Sequence, residues 1–201
     1  MTGPIVYIYG DYACPHTYVM DARLQILSSE GACTTVWRPL PTHGQGGGED
    51  WRSLGGEASD LEETVEDLAR STAGLGLPFR LPARPPETRL ALLASEFARD
   101  CGSSDFQRFH RAVFRSVFSD ASDIGDPEVL EAIADRAGID LIGLRAALED
   151  GRYERTLTET EAEAATYGIS ATPTVLIGPY KVVGAAPLDI LRNTIARAAD
   201  G

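Results

Sequence analysis

Lysine is almost missing from this sequence: Lys181 is the only one, and the other cations are arginines. Acidic residues outnumber basic ones by 30 to 18, which leaves a formal net charge of −12 and no Lys/Arg cluster. A nucleic-acid surface needs a basic face that displaces counterions from phosphates. Nucleic acid is therefore excluded as a partner, and an anionic membrane surface with it. No apolar run approaches the ~20 residues of a spanning helix. The opening Met1-Thr-Gly-Pro4 has neither a basic region nor a small-residue cleavage site, so no secretory leader is expected. Cysteine is scarce too: Cys14, Cys33 and Cys101 are too few and too widely spaced for a disulfide framework or a zinc site. His16, His43 and His110 are equally scattered, and no metal is expected. These absences together fit a reducing, cytoplasmic setting.

What is present suits one or two packed domains: 201 residues, 43% of them hydrophobic. Residues 4–9 read as a short buried strand ended by the turn pair Gly10-Asp11. A helix follows, with Pro15 in its first turn and Val19, Ala22 and Ile26 on one stripe. Thr34-Thr-Val-Trp37 reads as a second strand closed by Pro39 and Pro41. The glycine run at 44–48 lacks the Gly-Lys-Ser/Thr of a phosphate loop and reads as a plain loop.

From about 59 to 167 the periodicity is helical. Ser59 with Glu62 forms a capping box. Leu90, Leu93, Ala94, Phe97 and Cys101 share one helix face, which places Cys101 in a core. His110 follows Phe106 by four residues and reads as a core-edge histidine, and Asp126-Pro127 marks a helix start. Glu159, Glu161 and Glu163 read as a solvated acidic face. Two short β runs, Thr174–Ile177 and Tyr180–Val183, flank Gly178-Pro179 as a hairpin, and a final helix carries Leu188, Leu191 and Ile195. A helical block between two β-containing ends indicates a sheet domain interrupted by an insertion.

Chemistry concentrates in Asp11-Tyr-Ala-Cys-Pro-His-Thr-Tyr18, at a strand-to-helix junction. Cys14 sits at or just before the helix start, where unpaired N–H groups and the helix dipole favour an anion and depress a thiol pKa. A protonated His16 and the Thr17 hydroxyl would add to this, and Asp11 would oppose it. The helix terminus is expected to win, presenting an ionised sulfur to solvent. The plainer reading of Cys14 is a small apolar residue packed at a strand end.

Cys14-Pro15-His16-Thr17 resembles the Cys-Pro-His-Cys site of DsbA, with Thr17 where the second cysteine stands. Gly168-Ile-Ser-Ala-Thr-Pro-Thr174 is similar to the segment around the family's cis-proline. Trp37-Arg-Pro39, Pro85-Pro-Glu-Thr88 and Gly184-Ala-Ala-Pro187 resemble, in order, the FrnE branch of that family. The resemblance implies an α/β, thioredoxin-like fold with an inserted all-helical domain: a discontinuous thioredoxin-like domain over 1–56 and 168–201, and helices over 57–167. It also implies a cis bond at Thr172-Pro173 and Thr172 backbone groups that pair with substrate. Spacing alone leaves Pro173 equally readable as a strand-start proline.

Cys14, His16, Thr17 and Pro173 are thus the candidate catalytic residues, with Pro15 and Thr172 as substrate-binding residues. Without a second cysteine at 17, the resemblance implies monothiol exchange on a protein or small-molecule disulfide. Glutathione or another low-molecular-weight thiol would serve as co-substrate, with no bound cofactor, and a homodimer is left open. Cys33 and Cys101 are weak candidates for a resolving thiol, since disulfide geometry is narrow. The segment also resembles the Asp-x-x-Ser-Pro-x-Ser-Tyr of 2-hydroxychromene-2-carboxylate isomerases and kappa-class glutathione transferases, which implies a glutathione-dependent isomerase or transferase as an alternative. A non-catalytic binding protein on the same fold is a third.

Overall fold

The computed structural model describes residues 3–41 and 58–200, with side chains from 64 onward in the second stretch. The glycine run, His43, and the side chains of Ser59 and Glu62 lie outside the described residues. The chain divides into two compact units, Met1–Thr42 with Thr160–Gly201, and His43–Glu159.

In the first unit, strand β1 (Ile5–Gly10) leads through a tight turn into helix α1 (Pro15–Ser29), and β2 (Thr34–Pro39) follows. The unit resumes within helix α7 (Glu154–Thr166) and continues with β3 (Thr174–Ile177), β4 (Tyr180–Val183) and α8 (Leu188–Ala199). The sheet order is β2-β1-β3-β4. β1 pairs parallel with β2 and antiparallel with β3, and β3 pairs antiparallel with β4. The β3–β4 loop is two residues long, and Gly178 takes a φ of +53°. That is a backbone region glycine enters without the steric cost of a Cβ, as such hairpins require.

Alternation along β1 separates the sheet's two faces. Val6 and Ile8, opposite Ile177 and Val175, are 0–1% exposed. α1 packs against β2, α8 against β3, and the two helices touch. On the other face Tyr9 clusters with Leu40, Ala164 and Ile169, flanked by Tyr7 and Leu176. That packing draws the end of α7 into the sheet unit, which therefore resumes at Thr160 rather than at 168.

The second unit holds α2 (Ala58–Gly74), α3 (Arg89–Cys101), α4 (Ser103–Phe118), α5 (Pro127–Arg136) and α6 (Leu141–Glu149), with the first turns of α7. α3 packs on α4, α5 and α6 through fully buried Ala91, Leu92, Phe109, Val113 and Leu144. Asp126 caps α5 by accepting from the Glu128 N–H at 2.9 Å, and Asp140 caps α6 through Ile142 and Gly143.

Three sequence expectations change. Cys101 is exposed rather than in a core, because it falls in the last turn of α3, where the helix leaves its partners. His110 is not at a core edge but 1% exposed, its ring stacked on Phe106 and edge-on to Phe114, each at 5.0 Å. Glu163 does not belong to a solvated face: it is half-buried and pairs with Arg38 on β2 at 3.0 Å. Among the described residues, no helix is long and apolar enough to cross a membrane.

Candidate functional site

Asp11 builds the turn between β1 and α1. Its carbonyl accepts from the Cys14 N–H at 3.1 Å, and its carboxylate accepts from the Ala13 N–H at 3.1 Å. The chain is thereby reversed so that Cys14 becomes the N-cap of α1 with extended backbone (φ −90°, ψ 111°) and Pro15 takes the first helical position. Proline is preorganised there, where its missing N–H costs nothing. The Cys14 carbonyl accepts from Thr17 and Tyr18. Cys14 thus stands at the positive end of the helix, as the junction predicts.

Its surroundings do not deliver the expected anion. Cys14 is 5% exposed, and burial pushes its pKa up. The Thr17 hydroxyl, the Thr172 side chain and the Thr17 N–H pull it down without prevailing, while Asp11 pushes it further up. The Thr17 oxygen is buried and holds no other partner, which leaves its hydroxyl available to the sulfur as the anion forms. The thiol itself donates to the Thr172 carbonyl at 3.3 Å, a contact only the protonated form can make. The expected solvent-facing thiolate is therefore corrected: the resting group is a buried, protonated thiol. His16 does not add the positive charge that a protonated ring would bring, because burial lowers its pKa from 6.5 and leaves the imidazole neutral at neutral pH.

The facing segment comes from far along the chain. The Thr172–Pro173 peptide is cis, and Pro173 is buried next to half-buried Thr172. Two hydrogen bonds hold this turn: the Thr174 hydroxyl donates to the Ala171 carbonyl at 2.7 Å, and the Gly184 N–H to the Pro173 carbonyl at 2.8 Å. Of the residues singled out from sequence, Cys14, Thr17 and Thr172 meet around one sulfur. Pro15 and His16 lie in the same helical turn.

Gly10 was legible only as a turn marker. A Cβ there would stand 2.5 Å from Thr17 Cγ2 and 2.5 Å from the Trp37 ring, so the missing side chain is what admits both. Trp37 in turn packs against Tyr12, with ring centroids 5.5 Å apart.

Neither remaining cysteine completes a pair. Gly10 and Pro39 mark one end of the β1–β2 ladder, and Ile5 and Thr34 the other. Cys33 precedes Thr34, so about 17–20 Å of strand separates it from the Cys14 end. A disulfide tolerates a Cα separation of only ~7 Å. Cys101 lies in the other unit, exposed and unpaired. Among the described residues, no group of His, Cys and carboxylates is arranged to hold a metal.

Comparison with known proteins agrees with this architecture. The chain is 24% identical over 194 residues to the uncharacterized protein YwbO of Bacillus subtilis, covering 94% of each. A probable DsbA oxidoreductase from Streptomyces coelicolor superposes with a TM-score of 0.81 at 24% identity, over 97% of this chain and 89% of that one. A 2-hydroxychromene-2-carboxylate isomerase superposes with a TM-score of 0.76 at 20% identity, over 96% and 95%. Residues 5–196 match the DSBA-like thioredoxin domain from the first strand into the last helix, and the chain belongs to that family.

Proposed function

We propose that this protein is a thiol-disulfide oxidoreductase working by monothiol exchange through Cys14, whose thiol is unmasked by the arriving substrate. The observation that carries the reading is the hydrogen bond from Cys14 to the Thr172 carbonyl, beside the cis-proline, at the start of α1. A substrate strand that pairs with the Thr172 backbone competes for that carbonyl. Displacing the S–H bond frees the sulfur to ionise beside the Thr17 hydroxyl and the helix N-terminus.

The Cys14 thiolate then attacks one sulfur of a substrate disulfide. A Cys14–substrate disulfide forms, the other sulfur leaves as a thiolate, and that thiolate takes up the proton Cys14 lost to solvent. Thr17 cannot resolve this intermediate and Cys33 is out of reach. An external thiol of the glutathione class attacks it, forms a disulfide with the substrate sulfur, and returns Cys14 as a thiol. The net change is exchange, and full reduction of the substrate takes a second external thiol. Three free thiols fit a reducing compartment, the cytoplasm.

The test is incubation with oxidised glutathione followed by peptide mapping. A glutathione adduct on Cys14, released by reduced glutathione and lost in Cys14→Ser, is expected. An adduct confined to Cys101 overturns the reading.

One observation favours a second function. A protonated Cys14 donating a hydrogen bond does what a serine hydroxyl would do in a glutathione-dependent isomerase or transferase, orienting a bound thiol instead of reacting. Cys14→Ser that retains glutathione binding and isomerase turnover would establish that role.

A further inference from the structure

Arg23, two turns beyond Cys14 on α1, presents its guanidinium to main-chain oxygen. A single nitrogen, Nη1, donates to the Ala185 carbonyl at 2.8 Å and to the Ala186 carbonyl at 2.9 Å. Among the described residues it forms no ion pair, although burial disfavours its charge. A half-buried cation is costly to keep without a carboxylate, so its place calls for an account.

The two alanines belong to the β4–α8 loop. Gly184, which opens that loop, donates its N–H to the Pro173 carbonyl at 2.8 Å, and Ala186 donates back to the Gly184 carbonyl at 3.0 Å. Pro173 follows Thr172, whose carbonyl accepts from Cys14. The hydrogen bonds and the intervening chain form a closed ring: α1 to loop through Arg23, loop to Pro173 through Gly184, Thr172 to Cys14, and Cys14 back into α1.

We infer that Arg23 is a positioning residue for the reactive thiol, fixing the cis-proline turn against Cys14 by clamping the 184–186 loop to the helix that carries the cysteine. This rests on the reading of Cys14 as the reacting group. Arginine suits the role because its planar head is always charged and presents fixed donors, whereas a lysine ammonium reaches the same carbonyls as a mobile point donor. Releasing the clamp loosens the Thr172 carbonyl from the sulfur and admits water. The thiol then ionises more readily, because rehydrating a sulfur whose burial is the main bar to its ionisation outweighs losing the Thr172 side chain; Asp11, His16 and Thr17 belong to the turn and helix start and are untouched.

The test is the pH profile of Cys14 alkylation by iodoacetamide, read at the Cys14 peptide, in Arg23→Met and Arg23→Lys. Arg23→Met is expected to react about tenfold faster at neutral pH with its profile moved to lower pH, and Arg23→Lys to fall between it and the parent. Loss of a cation acting only through its charge would move the profile the other way, so the sign separates clamp from charge. The control is Arg192→Met, which breaks the ion pair of Arg192 on α8 with Glu30 at the end of α1. It should leave the profile in place.

A parent-like profile for Arg23→Met, a shift to higher pH, or an equal shift in the control overturns the inference. If Arg23→Met does not fold, hydrogen exchange in Arg23→Lys decides: faster exchange of the Gly184 amide alone supports the clamp, and unchanged exchange overturns it. Alkylation reads the clamp whether or not the protein exchanges disulfides, so the glutathione-adduct experiment can fail independently.

Discussion

Removing Cys14 from water costs its anion a solvation shell that the Thr17 hydroxyl and N–H at the helix start and the Thr172 side chain on the facing turn only partly replace. Replacing Thr17 with Val removes the hydroxyl that most lowers the thiol pKa, at nearly constant shape. The thiol pKa should rise further and alkylation at neutral pH should slow by roughly threefold to tenfold, while Thr17→Ser keeps the parent rate. Iodoacetamide kinetics across pH checks this. His16 gives a stability signature with a definite sign. Its folded pKa lies below the unfolded 6.5, so the unfolded chain takes the proton first. This group contributes no penalty above that value and a growing one as pH falls from 6.5 toward the folded pKa. His16→Gln should therefore lose less thermal stability than the parent when acidified through that window. Equal losses, measured as Tm against pH, would contradict a half-buried neutral imidazole. The identities at this scale were readable from sequence; the protonation states were not. Both depend on how much protein surrounds positions 14 and 16, which for Cys14 includes Thr172, 158 positions along the chain.

At the scale of elements, the boundaries were legible wherever a residue constrains its own backbone. Pro15 fixed the start of α1, Asp126 capped α5, and Gly178-Pro179 closed the hairpin. Contacts across elements left weaker traces. Gly10 looked like punctuation after β1, yet it is the space into which Thr17 and Trp37 fit. Gly10→Ala should cost on the order of 1–3 kcal/mol, the usual range for overpacking a filled site, and should also shift the Cys14 alkylation profile because Thr17 must move. Chemical denaturation and alkylation on the same variant test both halves. A stable protein with a parent-like profile would mean that the strand can give way at Gly10. Arg23 had a faint signal, as a cation set among the apolar residues of α1, but its carbonyl partners carry no side-chain signature at all.

For the whole chain, the three thiols form a graded set that the fold alone decides. Cys101 is exposed at the end of α3, yet residual burial and then the charges of Asp105, Asp100 and Asp140 raise its pKa. Cys33 is 4% exposed at the far end of the β1–β2 ladder, and burial raises its pKa too. Cys14 is as buried, yet it alone has hydroxyls and a helix start beside the sulfur and a carbonyl that a substrate strand can claim. Exposure therefore ranks Cys101 first toward a small alkylating probe, with Cys14 next and Cys33 last, since reaction requires both access and a thiolate. Toward a disulfide substrate that can pair with Thr172 the order of the first two should invert, because only Cys14 gains from binding. Pulse labelling with iodoacetamide reads the first order; for the second, the peptide mixed disulfide formed at each cysteine, which blocks alkylation there, is quantified by mass spectrometry. Cys14 remaining behind Cys101 with the peptide present would show that strand pairing does not unmask it, and would leave the donor role in a glutathione-dependent isomerase as the better account of the buried thiol.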